Sequence, residues 1–337
     1  MDPKKTTNGD SSDWRYSCVD NKSRLKYMCE TGTMSDCEFL VGKGSEGQKV
    51  KAHKFVLAMV SPVFDTMFYG ALSTKNDEPI RVSDIDLHEF KKLMTYIYMD
   101  HLGIASVSEA MNLYYAAKKY MLPRAVAECI TYLQSNQVVD SVCQVYEFAK
   151  FYDESKLMSI CLTIMCDQTS TVITGSGFLD ADLSTIITIL NQNDLTIDSE
   201  LDLFKAIKRY AHKHGLSRAI ESQQHPEPKK VAVDSQGYKN PHKDQSTILD
   251  ALHRIRFQII KPSQLAPELI GTELLTKSEV LEILLCSSMQ EGGQQYTVPK
   301  GFSSSSEPRI KKKLCQYCKR KLQCNKMYCS YCGHYRY

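Results

Sequence analysis

Apolar and polar residues alternate in "DCEFLVG", which puts Cys37, Phe39 and Val41 on one face with the period of a half-buried strand. The turn glycines of "GKGSEGQ" and a second alternation in "KVKA" predict a hairpin partner. "HKFVLAMVSPVFDTMF" changes to helical spacing, with Leu57 and Phe64 among its apolar positions and Pro62 opening a second short helix. "PIRVSD" reads as another short strand, followed by an amphipathic helix in "DLHEFKKLMTYIYM". In that helix Phe90, Leu93, Met94, Ile97 and Tyr98 form one stripe, and Asp86 with Glu89 is spaced as a capping box. From Asn136 onward the spacing is helical. Val138, Val142, Val145 and Tyr146 make one stripe, Leu157, Ile160, Cys161 and Ile164 the next, and Phe204, Ile207 and Ala211 a third. The pattern predicts an α+β protein: a short β-sheet with helices, then an all-α domain.

Three stretches break the periodicity. Residues 1–25 are polar and read as a disordered arm carrying the single tryptophan, Trp14. Residues 217–245 mix Pro, Gly and charge and read as a loop insertion. Residues 288–312, with "GGQQ" and "SSSSEP", read as a flexible linker. The domains are therefore expected at 26–135 and 136–287, with a small module at 313–337.

Composition adds little to this: 42% hydrophobic and 24% charged residues describe an ordinary globular chain. The polar start "MDPKKTTNGD" lacks the apolar core of a signal peptide, and no apolar run approaches the roughly 18–20 residues of a membrane span. A cytoplasmic location, with the nucleus as a second compartment, is the expectation, and there thiols stay reduced. The odd total of 13 cysteines, many of them scattered singly, argues against a disulfide framework. The singles read as small core hydrophobes.

Charge changes the picture at the C-terminal end. Between Arg309 and Tyr337 stand nine Lys or Arg and no Asp or Glu, while the first 308 residues hold 33 basic against 39 acidic residues. The same tail carries Cys315-x-x-Cys318 and Cys329-x-x-Cys332, two pairs separated by ten residues. In a reducing compartment that spacing suits a tetrahedral structural zinc site of four thiolates. With few apolar residues, the tail would draw its folding free energy from the metal. Cys324 and His334 are reserve ligands, and a redox-sensitive tail is the other reading of the same cysteines. A RING needs eight ligands, and the tail has six Cys or His. Lys311, Lys313, Lys319, Arg320 and Lys326 interleave with Tyr317, Tyr328 and Tyr331, a pattern shared by single-stranded nucleic-acid binders, import signals and docks for acidic partners.

"SDCEFLVG", "VKAHKFVLAMVSPVFDTMFYG" and "IRVSDIDLHEFKKLMTYIYMD" together resemble the BTB (POZ) domain, and "LYYAAKKYMLPRAVAECITYL" resembles its final helix pair. "YEFAKFYDESKLMSICLTIM", "DLTIDSELDLFKAIKRYA" and "LLTKSEVLEILL" resemble the BACK domain that often follows. "RIRFQII" and "AKKYMLP" are similar to the subfamily that usually continues into a PHR β-sandwich. No stretch after residue 290 has the length for that sandwich, so the Cys-rich tail is expected in its place.

The resemblance implies a homodimer that binds cullin-3 and recruits a protein substrate to a RING ubiquitin ligase, with no catalysis of its own. It places Asp36 and Lys54 at a charged pocket near the dimer interface, while His53, a lone histidine beside a strand end with no nucleophile or second acid spaced near it, reads as structural. For cullin it implies Phe68 and Leu72 around the loop "FYGALSTKNDEPI", and Val142, Tyr146 and Phe148 in the first BACK helices. Core packing accounts equally for Phe68 and for the helical stripe. The family's hydrophobic-x-Glu element is incomplete, because Thr74 stands where the acid is expected. The alternative is a BTB scaffold or transcription-linked factor, without cullin binding, whose basic zinc tail touches nucleic acid or another protein.

Overall fold

The computed structural model describes residues 13–42, 47–71, 78–136, 139–217, 247–291 and 298–309, with side chains described up to residue 289 and again from 298. The chain divides after Asn136 into two units. Among the described residues no helix is long and apolar enough to cross a membrane.

In the first unit, β1 (Cys37–Val41) is the central strand. It pairs antiparallel with β2 (Gln48–Ala52), Cys37 opposite Ala52, and parallel with β3 (Ile80–Val82), Phe39 opposite Ile80. The expected alternation holds: Phe39 and Val41 are buried, and Cys37 is half-buried. The N-terminal stretch departs from the arm expected over 1–25, because α1 (Trp14–Ser17) and α2 (Asn21–Thr31) are both formed. Asp20 and Ser23 close a capping box on α2, and Trp14 lies flat on Tyr27 with ring centroids 4.8 Å apart.

After β2 come α3 (Lys54–Val60) and α4 (Pro62–Tyr69), divided at Ser61. Pro62 takes the first position of α4, where a missing N–H costs nothing. The Ser61 hydroxyl accepts from the Phe64 N–H at 3.2 Å and donates to the Tyr120 carbonyl at 2.6 Å. Phe64 is fully buried and stacks on Tyr120, centroids 4.4 Å apart. The predicted stripe of α5 (Leu87–Met99) is entirely buried. Its expected capping box does not form: Asp86 makes no side-chain cap. Glu89 is held instead by α6 (Val107–Lys119), where Asn112 Nδ2 donates to its carboxylate at 3.1 Å. Packing of α6 against α7 (Pro123–Ser135) completes the unit.

The second unit contains helices and no strand among its described residues. It runs α8 (Val142–Phe151), α9 (Ser155–Asp167), α10 (Thr169–Thr174), α11 (Ser176–Asp180), α12 (Leu183–Leu190) and α13 (Glu200–Lys213). The insertion expected at 217–245 lies outside the described residues from position 218 on. The helices resume with α14 (Ile248–Leu252), α15 (Pro262–Leu269) and α16 (Lys277–Glu291). Phe204, Ile207 and Ala211 are buried as expected, but α9 is turned slightly from the expected stripe. Leu157, Cys161 and Met165 are buried, while Ile160 and Ile164 stay half-exposed. At Gly177 a Cβ would come 1.8 Å from the Asp140 carbonyl oxygen, so only glycine lets the backbone of α11 lie against the turn at Val139–Ser141.

The stretch expected to be a linker, 288–312, is built into this unit where it is described. α16 runs past residue 287, and residues 298–309 lie along the helices as a strap. Phe302 packs on His253 and Phe257, with ring centroids 4.7 and 6.0 Å away. Arg309 enters the interior and donates from Nε to Glu200 Oε1 at 2.5 Å, both side chains being 1% exposed.

Glu147 of α8 joins two helices through a backbone contact. Its Oε1 accepts the N–H of Asp182, the residue before α12, at 2.7 Å. Burial lifts its carboxyl to about 7; the Asp182 N–H opposes this rise and the Asp182 charge adds to it. A folded chain therefore keeps this proton at pH values where an unfolded one, titrating near ~4.3, has lost it. The stabilisation is complete below that unfolded value and disappears as the pH rises through about 7. Glu147→Gln should flatten the pH dependence of the second unit's stability. Between pH 5 and 8 the parent should lose roughly 1–3 kcal/mol more than the variant in urea unfolding. Equal losses in the two proteins would refute the assignment.

Candidate protein-interaction sites

Asp36, His53 and Lys54 meet where β1 begins and α3 starts. The Asp36 carboxylate accepts the Lys54 backbone N–H at 2.7 Å, which satisfies a free donor at the first turn of α3. The contact between the two residues runs through that backbone group. The Lys54 ammonium instead stands over the Phe68 ring, 6.0 Å from its centroid. Between these charges the Cys37 thiol is pushed up to about 12, chiefly by burial and then by the negative charge of Asp36, so it is a protonated packing group.

His53 is buried and fully partnered. Its Nε2 lies 2.8 Å from the Thr33 carbonyl, which can only accept, so this nitrogen carries the proton. Nδ1 then accepts from the Tyr98 hydroxyl at 2.6 Å, and the same hydroxyl oxygen accepts the His53 backbone N–H at 3.0 Å. The ring spends both nitrogens on structure, as expected for this position.

Phe68 is half-buried on α4, stacked on Phe64 with centroids 6.0 Å apart and edge-on to Phe39 at 6.5 Å. Leu72 and Thr74 lie outside the described residues. Close to this cluster α3 presents a second apolar face. Val56 and Leu57 point inward, whereas Phe55 and Met59, one turn apart, are 70% and 64% exposed. Sequence reasoning did not single out this pair, although the signal stood in "FVLAMV": a surface helix with no polar face has apolar surface left over after its core is filled.

Val142, Tyr146 and Phe148 were expected on a partner-facing groove. All three are buried, Val142 completely. Their side chains belong to the interior packing of α8, so a partner could read only the surface they support. The four tail cysteines, Cys315, Cys318, Cys329 and Cys332, lie outside the described residues. Among the described residues no three His, Cys, Asp or Glu side chains gather as metal ligands, and eight cysteines are free thiols.

The His53 network generates a test. Tyr98→Phe keeps the ring packing but strips two groups of His53 of their partner, at a cost of about 2–4 kcal/mol. Chemical denaturation of the first unit should record that loss. A change below about 0.5 kcal/mol would show that the hydroxyl is dispensable.

Comparison with known proteins agrees with this architecture. The BTB/POZ domain family matches residues 25–137, and the family described as BTB And C-terminal Kelch matches 142–224. The chain is 27% identical over 276 residues to BTB/POZ domain-containing protein 6-A of Danio rerio, covering 81% of this chain and 47% of that protein. It is 31% identical over 190 residues to BTB/POZ domain-containing protein 3 of Homo sapiens, covering 56% of this chain and 36% of that one. With BTB/POZ domain-containing protein 6 of Xenopus laevis it shares 29% identity over 204 residues, covering 60% and 38%. It thus spans less than half the length of these relatives. With a three-stranded α+β unit followed by a helical one, and both domain families matched in that order, the chain carries a BTB/POZ domain followed by a BACK domain.

Proposed function

We propose that the chain is a non-catalytic, dimeric adaptor that carries a protein substrate to a cullin-3 RING ubiquitin ligase. The observation that carries the reading is the outward face of α3 in a BTB/POZ domain: two large apolar side chains, Phe55 and Met59, mostly exposed beside the Asp36–Lys54 contact. Contiguous exposed apolar surface of this kind marks a protein interface. A second copy of the same unit is its occupant, since an isologous pairing brings the same face twice to one axis. Asp36 and Lys54 would then lie at the rim of the pocket formed there.

Cullin-3 contact is proposed for Phe68 and Leu72 in the first unit and, separately, for the surface that Val142, Tyr146 and Phe148 support in the second. Catalysis would come from the RING partner and its conjugating enzyme. The adaptor would raise the local concentration of a substrate lysine, an effective-concentration gain that needs no acid, base or nucleophile. Calorimetric titration of the full chain with the N-terminal domain of cullin-3 tests this reading. Binding at micromolar affinity or tighter is expected, weakened at least tenfold by Leu72→Asp with the dimer mass unchanged. A folded dimer that gives no binding heat and no shift in sedimentation would exclude the adaptor role.

The tail is proposed as a four-cysteine zinc module that captures a protein partner. Cys318→Ser and Cys332→Ser should each abolish stoichiometric zinc in elemental analysis and leave the BTB–BACK units folded. Full zinc content in either variant would remove that ligand from the set. The basic composition of the tail and Thr74 at the family's acid position favour a second reading, a scaffold or transcription-linked factor whose tail holds nucleic acid. Its mark is affinity that falls steeply with salt.

A further inference from the structure

The strap at 298–309 is held at two points, the ring of Phe302 and the guanidinium of Arg309, both buried. Between them residues 303–306 are four serines without regular secondary structure. Their burial alternates: Ser303 and Ser305 are half-buried, Ser304 and Ser306 exposed. That is the period of an extended chain laid on a surface. Ser303 and Ser305 face a pocket of 410 Å³ whose polar walls include Asn191, His253, Arg254, Arg256 and Arg309.

Of the three guanidinium groups in that pocket, one is joined to a carboxylate by a salt bridge. Arg309 meets the Glu200 carboxylate, but Arg254 and Arg256 are held by neutral acceptors. Arg254 Nε donates to Asn191 Oδ1 at 2.6 Å. Arg256 Nη1 donates to the Glu307 carbonyl at 2.9 Å, and its Nη2 to Asn193 Oδ1. Among nearby carboxylates, Asp250 is turned onto its own helix cap, accepting from the Thr247 N–H at 2.8 Å and hydroxyl at 2.9 Å. Glu307 is exposed to solvent. Three guanidinium groups thus share one directly paired carboxylate, and Ser303 and Ser305 line the same pocket, the Ser303 hydroxyl accepting from the Ser305 N–H at 3.4 Å. Burial, and then the neighbouring charge of Arg309, hold Arg256 below its usual range, while the Glu200 and Glu307 charges act against them.

We propose that Ser303 and Ser305 are phosphorylation sites whose phosphate is received by this arginine pocket, so that modification fastens the strap to the BACK unit. A serine/threonine kinase transfers the γ-phosphoryl group of ATP. The seryl oxygen forms the new P–O bond as the bond to the β-phosphate breaks, ADP leaves, and the seryl proton passes to the kinase's base. The ester adds about −1.5 to −2 charges and three acceptor oxygens, which suit the forked donors of arginine. Phosphate on Ser304 or Ser306 would face solvent on the same strap and serves as an internal control.

The test installs phosphoserine singly at each of the four positions in the full chain by genetic-code expansion and follows hydrogen exchange of the strap. Phosphoserine at 303 or 305 should slow exchange about tenfold or more, the factor carried by one charge-assisted hydrogen bond. Arg254→Gln should remove most of that gain. That side chain is exposed, and the substitution leaves the Arg254 carbonyl in place for Arg309. Equal gains at all four serines, or faster exchange with phosphate at 303 and 305, would overturn the proposal. Slowing of the unmodified strap by inorganic phosphate, with none from the phosphoserines, would also overturn it by assigning the pocket to an outside phosphate. Phosphopeptide mapping of the chain expressed in eukaryotic cells should find phosphate at 303 or 305, and its absence from both would refute the modification.

Discussion

A buried ion pair gathers the second unit. Two charges withdrawn from water cost several kcal/mol each, and the cost is recovered only where the remaining donors and lone pairs are met. Around Arg309 four of the five N–H groups find acceptors. Its guanidinium reaches the Leu190 carbonyl at 2.6 Å, the Gln192 carbonyl, and the Arg254 carbonyl at 2.9 Å, besides Glu200. The second Glu200 oxygen accepts the Arg256 N–H at 3.2 Å. The pair sits between the C-terminal end of α12 and the N-terminal end of α13, where peptide dipoles favour a cation and an anion respectively. Four separate pieces of chain are therefore fixed by one contact: the end of α12, the start of α13, the turn after α14 and the strap.

That contact was not legible in the sequence, for a physical reason. Its partners stand 109 residues apart, and the strap around Arg309 has the Ser, Gly and Pro content of a linker. Composition reports the intrinsic stiffness of a segment. It does not report what the segment can reach. The same limit explains Asp86 and Glu89, whose spacing promised a local cap until the packing of α6 drew Glu89 to Asn112. Trp14 looked like part of a loose arm because its partner, Tyr27, lies in the next helix. Where local pattern and burial coincide, the reading was sound. The alternation of β1, the break at Pro62 and the stripe of α5 each needed only neighbours in sequence.

The candidate sites divide in the same manner. His53 was readable as structural because it stands alone beside a strand end with no nucleophile or second acid spaced near it, although its actual partners, Thr33 and Tyr98, lie 20 and 45 residues away. Val142, Tyr146 and Phe148 carry a periodicity that says which face is apolar, and nothing in a periodicity says whether that face is covered by the chain's own helices or by another molecule. In α8 the chain covers them. In α3 the reverse holds: the apolar run was visible, but the share left over for the outside became clear only once Val56 and Leu57 had taken the inside.

The outer face of α3 also bears on how long the chain persists in a cell. An uncovered stripe of Phe55 and Met59 resembles, to a chaperone or a degradation receptor, the surface of a chain that has not finished folding. Whatever molecule covers that stripe hides this resemblance. With a second copy of the chain as the proposed cover, single copies would be cleared first, so the abundance of the protein would rise more steeply than the rate of its synthesis.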